Sequence, residues 1–264
     1  MIFLVKKNIK RLAASVNAVT SKGRARKEGM RILMYHSVGG SVRDHRLAVR
    51  VPLDKFVSQI KMLSGSGYKT LGISEVIEGS PGSFSQNRIA ITFDDGFKDN
   101  IEAAELLKKH GMKATFFVTV SYINGDVRKS WSGGRPREYM EWADVAMLKD
   151  MGFEIGSHMV HHTDLAALSD EDMASELTRS KETISQRAGT AVKVFSYPYG
   201  GINKKVIEKA AGAGYIGGCF SFGGFNNAST NPYVLRRTEI DGYDTTADFK
   251  NKIAGFYDFR SYPY

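Results

Sequence analysis

The chain has 264 residues, 42% apolar and 25% charged, enough for the core of one globular domain with a small appendage. It contains no apolar run of the about 18 residues that a membrane-spanning helix needs, and its single cysteine, Cys219, excludes a disulfide framework within the chain. The formal charge of +9 sits almost wholly in residues 1–31, where nine basic side chains face Glu28 alone, and a nearly neutral remainder speaks against nucleic-acid binding.

In chain order, residues 1–30 read as a basic amphipathic arm and residues 31–264 as the main domain. Ile2, Val5, Ile9, Leu12, Val16 and Val19 recur at steps of three and four, which predicts one apolar helix face, with Lys6, Lys7, Lys10 and Arg11 on its wetter side. Such a helix either makes peripheral contact with an anionic membrane through residues 1–20 or packs its apolar face on its own domain. The apolar run at 2–5 is too short for a signal peptide, which points to the cytoplasm or the cytoplasmic face of a membrane, with export left open.

Residues 31–36 read as a buried strand that delivers His36 to its end. Pro52 opens a helix with Phe56, Ile60 and Leu63 on one face, stopped by Gly65 and Gly67. Strands are expected at 89–93, 114–120, 153–156, 192–197 and 215–218. Helices are expected at 101–110, 142–151, from 168 or 169 through 184, and at 203–211. A last segment, 245–264, carries Phe249, Ile253 and Phe256 at helical spacing and closes the domain. This alternation predicts an α/β fold, a largely parallel sheet or barrel with helices outside, whose chemistry sits at the carboxyl ends of the strands.

Three polar clusters follow predicted strands. In Thr92-Phe93-Asp94-Asp95-Gly96, two adjacent carboxylates repel unless a cation or proton separates their roles, although a turn or helix cap uses the same residues. In Ser157-His158-Met159-Val160-His161-His162, His158 and His162 are four apart, so one helical turn would place both rings on one side for metal ligation, with His161 turned away. In Phe195-Ser196-Tyr197-Pro198-Tyr199-Gly200, Pro and Gly fix a turn that either aims a backbone N–H into a pocket or is merely structural. Together the clusters supply two histidines and a carboxylate for a divalent ion and leave positions open for water and substrate, as in a hydrolytic site. A closed structural zinc site would need more cysteine than Cys219 offers.

These residues resemble the polysaccharide deacetylases, the NodB-type carbohydrate esterases, over about 31–240, with Ala-Thr-Phe-Phe-Val at 114–118 as a further match. The resemblance implies a distorted (β/α) barrel, usually of seven strands. It also implies Asp94 as general base, Asp95, His158 and His162 as metal ligands, and the Tyr199 backbone N–H at the oxyanion. The implied cofactor is a divalent metal, zinc first, with cobalt, nickel or iron(II) also compatible with such ligands. Many members carry an acid histidine near the C-terminus, but this chain has none after His162. Met34-Tyr35-His36 is similar instead to the branch that deacetylates poly-N-acetylglucosamine, which implies His36 as general acid. Where many members have an arginine two residues before the proline, this chain has Ser196, so Asp94 needs another partner. Arg237 is the candidate, against a solvated surface role. Trp142 resembles an aromatic bordering the family's groove, although a core tryptophan would look alike.

The function this implies is a metal-dependent hydrolase that removes N-acetyl groups from an amino sugar in a bacterial surface polysaccharide or its precursor, with an N-acetylated carbohydrate as partner. Two alternatives stand beside it. The basic arm would suit a deacylase or deformylase of a lipid-linked sugar at a membrane surface, and Ser196 with the missing C-terminal histidine would suit a non-catalytic glycan-binding module.

Overall fold

A computed structural model describes residues 2–20, 29–39, 49–79, 81–123, 125 and 138–258. The strands are β1 (Arg31–Tyr35), β2 (Ser37–Val38), β3 (Arg50–Val51), β4 (Lys69–Leu71), β5 (Arg88–Phe93), β6 (Thr115–Val118), β7 (Glu154–Ser157), β8 (Val194–Ser196), β9 (Gly217–Phe220), β10 (Leu235–Arg236) and β11 (Thr238–Glu239). The helices are α1 (Ile2–Thr20), α2 (Leu53–Gly65), α3 (Ile73–Glu78), α4 (Asn100–Lys109), α5 (Val120–Ile123), α6 (Trp142–Asp150), α7 (Asp170–Ala188), α8 (Lys204–Gly212) and α9 (Thr246–Ala254).

The main sheet runs β10-β9-β8-β7-β6-β5-β1-β11, every pairing parallel, with β4 beside the first half of β5. Its two end strands are separated in sequence by Arg237 alone. One interrupted strand, residues 235–239, therefore pairs with β9 by its first half and with β1 by its second, and so closes the sheet into a barrel. Counted as one strand, it makes seven with β1, β5, β6, β7, β8 and β9, and all carboxyl ends meet at one rim.

Strand alternation then decides what fills the barrel. Ile32, Ala90, Phe117, Val194, Cys219 and Leu235, from six strands, form one buried cluster, with Ile73 and Val76 of α3 packed onto it. Two positions further toward the rim stand the polar Thr92, Ser196 and Arg237. Residues of opposite parity, among them Leu33, Ile91, Phe116, Ile155 and Phe195, belong to the larger core that the outer helices cover. In β7, Gly156 lets the Phe117 ring pass, since a Cβ there would lie 2.4 Å from it.

Three expectations shift. The strand expected at 114–120 ends at Val118, because the Val120 and Ser121 amides donate to the carbonyls of Met159 and Val160 and turn into α5. The strand expected at 215–218 starts at Gly217, because the Tyr215 amide is taken up capping α8 at the Ala210 carbonyl. In the closing segment α9 stops at Gly255, whose φ of 91° suits a helix C-cap. Phe256 beyond it is still buried, and residues 259–264 lie outside the described residues.

The arm docks on the domain through its basic side, not through the apolar face that the docking alternative required. Lys7 is buried against Asp241 and Asp244, Arg11 Nε donates to Asp248 at 2.8 Å, and Ala14 is buried, while Ile9, Leu12, Val16 and Val19 are exposed. Acidic groups after β11 and in α9 select the basic side of α1, and local periodicity carries no trace of them.

Candidate active site

At the rim, the loop after β5 carries Asp94 and Asp95. The Asp94 amide donates to the Tyr35 carbonyl at 3.0 Å, which stitches the end of β5 to the end of β1 and sets His36 beside both carboxylates. His36 is half-buried.

Asp94 is buried and gripped by Arg237, whose Nη1 and Nη2 donate to its two carboxylate oxygens at 2.7 Å each. The same guanidinium donates to the hydroxyls of Thr92 at 3.1 Å and Ser196 at 2.6 Å, and Ser196 donates to Asp94 at 3.2 Å. Burial works to raise the Asp94 carboxyl, but the Arg237 charge, His158 and the paired hydrogen bonds outweigh it and hold the group well below the usual carboxylate range. Arg237 itself is buried, because residue 237 has the barrel-facing parity of Leu235 and interrupts the closing strand. Ser196, small and uncharged, leaves room for this arginine arriving from across the barrel.

Asp95, His158 and His162 each present one ligand atom, all within 4.8 Å of one another. Asp95 Oδ1 is 3.5 Å from His158 Nε2 and 3.2 Å from His162 Nε2, yet it is buried without an aligned hydrogen bond. His158 Nδ1 lies 2.9 Å from the Ser196 carbonyl, so an N–H donor there turns the Nε2 lone pair toward Asp95. Burial pushes His158 down to about 4, which keeps the ring neutral and ready to ligate at neutral pH. Burial works to raise the Asp95 carboxyl, but the hydrogen-bonding and charge contributions of His162, His36 and His158 bring it below the usual range. An orphaned buried carboxylate oxygen between two imidazole nitrogens is a donor set that fits a divalent cation.

The local route to this arrangement differs from the expected helical turn. Residues 158–163 are irregular, with Met159 at φ 68° and His162 at φ 54°, and the two rings meet edge to face at 4.7 Å between centroids. Among the described residues, the non-glycine positions with positive φ are Asp95, Met159, His162 and Tyr199, all in this one constellation. Backbone strain of this kind persists only where surrounding structure enforces it.

One enforcing group is Glu176 of α7. Buried, it accepts from the Val160 amide at 2.8 Å and the His161 amide at 3.1 Å, and it pairs with the His161 ring. His161 thereby turns outward, away from the ligand cluster. The sequence held a signal for Glu176, which shares the buried face of α7 with Met173, Leu177, Ser180 and Ile184. A carboxylate on an apolar face needs a partner.

Aromatic rings wall the site. Tyr122 stacks on His162 at 5.8 Å and meets Tyr139 at a tilt, 4.5 Å between centroids, and Tyr139 stacks on Phe97 at 5.0 Å. Tyr199 meets His162 edge to face at 4.7 Å, and its ring is 73% exposed. Trp142 opens α6 and is half-buried against the hydrophobic core, just beyond the 139–140 segment that pairs with Gly96 and Phe97. Sequence reading missed Tyr122 and Tyr139, because isolated tyrosines in a one-turn helix and a short connecting segment carry no periodic signal.

Residues 82–217 match the family model described as polysaccharide deacetylase. Asp94, Asp95, Trp142, His158, His162 and Tyr199 fall inside that span, and His36 and Arg237 outside it. YxkH of Bacillus subtilis is 29% identical over 212 residues, 79% of this chain and 70% of that protein. The peptidoglycan-N-acetylglucosamine deacetylase PgdA of Listeria monocytogenes is 30% identical over 131 residues, 49% of this chain and only 25% of that protein. In fold, the chain is similar to the Streptococcus pyogenes deacetylase PplD, solved in complex with acetate. The TM-score is 0.74 at 23% identity, covering 85% of this chain and 98% of that one.

Proposed function

The chain belongs to the polysaccharide deacetylase family, and from that membership and the rim geometry we propose that it hydrolyses the N-acetyl group of an amino sugar within a bacterial surface glycan or its precursor. The observation that carries this reading is the placement of an arginine-held, ionised Asp94 beside the Asp95, His158 and His162 donor set.

Those three residues would hold a divalent ion, zinc being the first choice, which would supply Lewis acidity toward the amide carbonyl and acidify nearby water. Asp94 accepts the proton of the attacking water, and its bidentate pairing with Arg237 fixes which lone pair faces the site. His36, at the end of β1 and partly open to solvent, delivers a proton to the departing amine as the C–N bond breaks. Tyr199, in a left-handed turn at the same rim, would offer its backbone N–H to the developing oxyanion. The exposed ring of Tyr199 offers a surface to the apolar side of a sugar.

Acetate release from short N-acetylglucosamine oligomers by metal-reconstituted protein tests the reading. Release is expected. Protein that holds one metal ion per chain and releases none from oligomers or from N-acetylated peptidoglycan fragments would overturn it.

A further inference from the structure

The helix α1 is built inside out for a surface helix. Ile9, Leu12, Val16 and Val19 are 63%, 69%, 51% and 78% exposed, and they are four of the six large hydrophobic side chains exposed among the described residues. Four aliphatic side chains in one row on a helix form a patch of the kind that marks an interaction surface.

The helix cannot roll to hide this row. Its other side is fixed by Lys7 against Asp241 and Asp244, with Lys252 completing that buried cluster, by Arg11 against Asp248, and by Asn17 reaching the Phe256 carbonyl. Turning the stripe inward would strand buried Asp244 and Asp241 opposite Lys252 alone.

We propose that α1 seats the protein on an anionic lipid surface, with the row from Ile9 to Val19 inserted among the acyl chains at the headgroup boundary. Charge selects this occupant. Residues 1–27 contain no acidic side chain, Lys10 is exposed on the flank of the helix, and Lys22, Arg24, Arg26 and Lys27 follow the helix in sequence. Two copies joined through this row would bring arms of the same sign together, whereas an anionic bilayer takes up both the apolar row and the charge. The helix lies on the surface and does not cross it, since none among the described residues is long and apolar enough to span. Lys7, near its start, contacts the loop directly after β11, so α1 begins at the barrel rim that carries Asp94 and Asp95. The seated protein would therefore hold its site beside the lipid surface.

This inference is independent of the deacetylase reading, and either can fail alone. The test is flotation of the full chain with vesicles of phosphatidylcholine alone or mixed with phosphatidylglycerol. Leu12→Asp/Val16→Asp is one variant, and Lys10→Glu is the other. Both alter only outward positions and spare the Lys7 and Arg11 contacts, so their thermal melts should match the parent's. Binding to the phosphatidylglycerol vesicles, weakened by salt and by about tenfold or more in Leu12→Asp/Val16→Asp, is expected, with a smaller loss in Lys10→Glu. Failure to float, equal binding by parent and double variant, or a parent dimer in light scattering that the double variant abolishes would overturn it.

Discussion

Arg237 and Asp94 face each other across the barrel mouth through two hydrogen bonds of 2.7 Å, although 143 residues separate them in the chain. The arginine interrupts the strand that closes the barrel, so closure and the orientation of the Asp94 carboxylate are one structural event.

Replacing Arg237 with Met should cost about 3–5 kcal/mol of stability, since it leaves a buried carboxylate without its counter-charge. Arg237→Lys keeps the charge but loses the fork, and the expected loss in kcat is about 10²-fold with little change in KM. Kinetics with a chromogenic acetamide and a thermal melt measure both.

The same pair sets the acid side of the pH profile. Because Arg237 holds Asp94 below its ordinary value, the carboxylate stays ionised, and the stability gained from the pair is present above the unfolded carboxylate range and lost only as pH falls through the depressed folded value. In Arg237→Lys the acid limb of kcat/KM should move to higher pH. An unchanged acid limb would mean that another group controls it.

Glu176 holds the strained backbone between His158 and His162. Glu176→Ala should weaken zinc binding about 10- to 100-fold, while Glu176→Gln, which keeps an acceptor for both amides, should stay closer to the parent. Competition with a chromophoric chelator reads this without any substrate.

Metal removal should lower the melting temperature, because Asp95 Oδ1 is buried without a partner in the bare protein. Zinc at about 100 times its Kd should restore about 2.7 kcal/mol. His158→Ala and His162→Ala should abolish that response.

Cys219 lies in the barrel interior, and burial pushes its thiol up to about 12, so the reactive thiolate is scarce at pH 8. A thiol reagent should label it stoichiometrically in denaturant and not in the native state.

Much of this was legible in the sequence because strand alternation and the polar clusters after strands are local signals. Ile89 to Phe93 followed by two aspartates gives both the strand and the site. The histidine pair was legible by spacing, but the helical turn inferred from it was not formed, since left-handed Met159 and His162 reach the same ring geometry by a loop that Glu176 enforces. Arg237 could be named as a partner for Asp94, but its burial depends on barrel closure, a property of the whole sheet. The outward face of α1 was illegible for the same reason, its acidic partners lying more than 230 residues away.

The most direct test compares the parent with Asp94→Asn, both reconstituted with zinc and checked for fold and metal content, in acetate release from N-acetylglucosamine oligomers. Asp94→Asn should retain the metal and lose release by about 10²- to 10⁴-fold. Release at the parent's rate from Asp94→Asn would contradict the assignment of this carboxylate as the base and, with it, the proposed chemistry of the site.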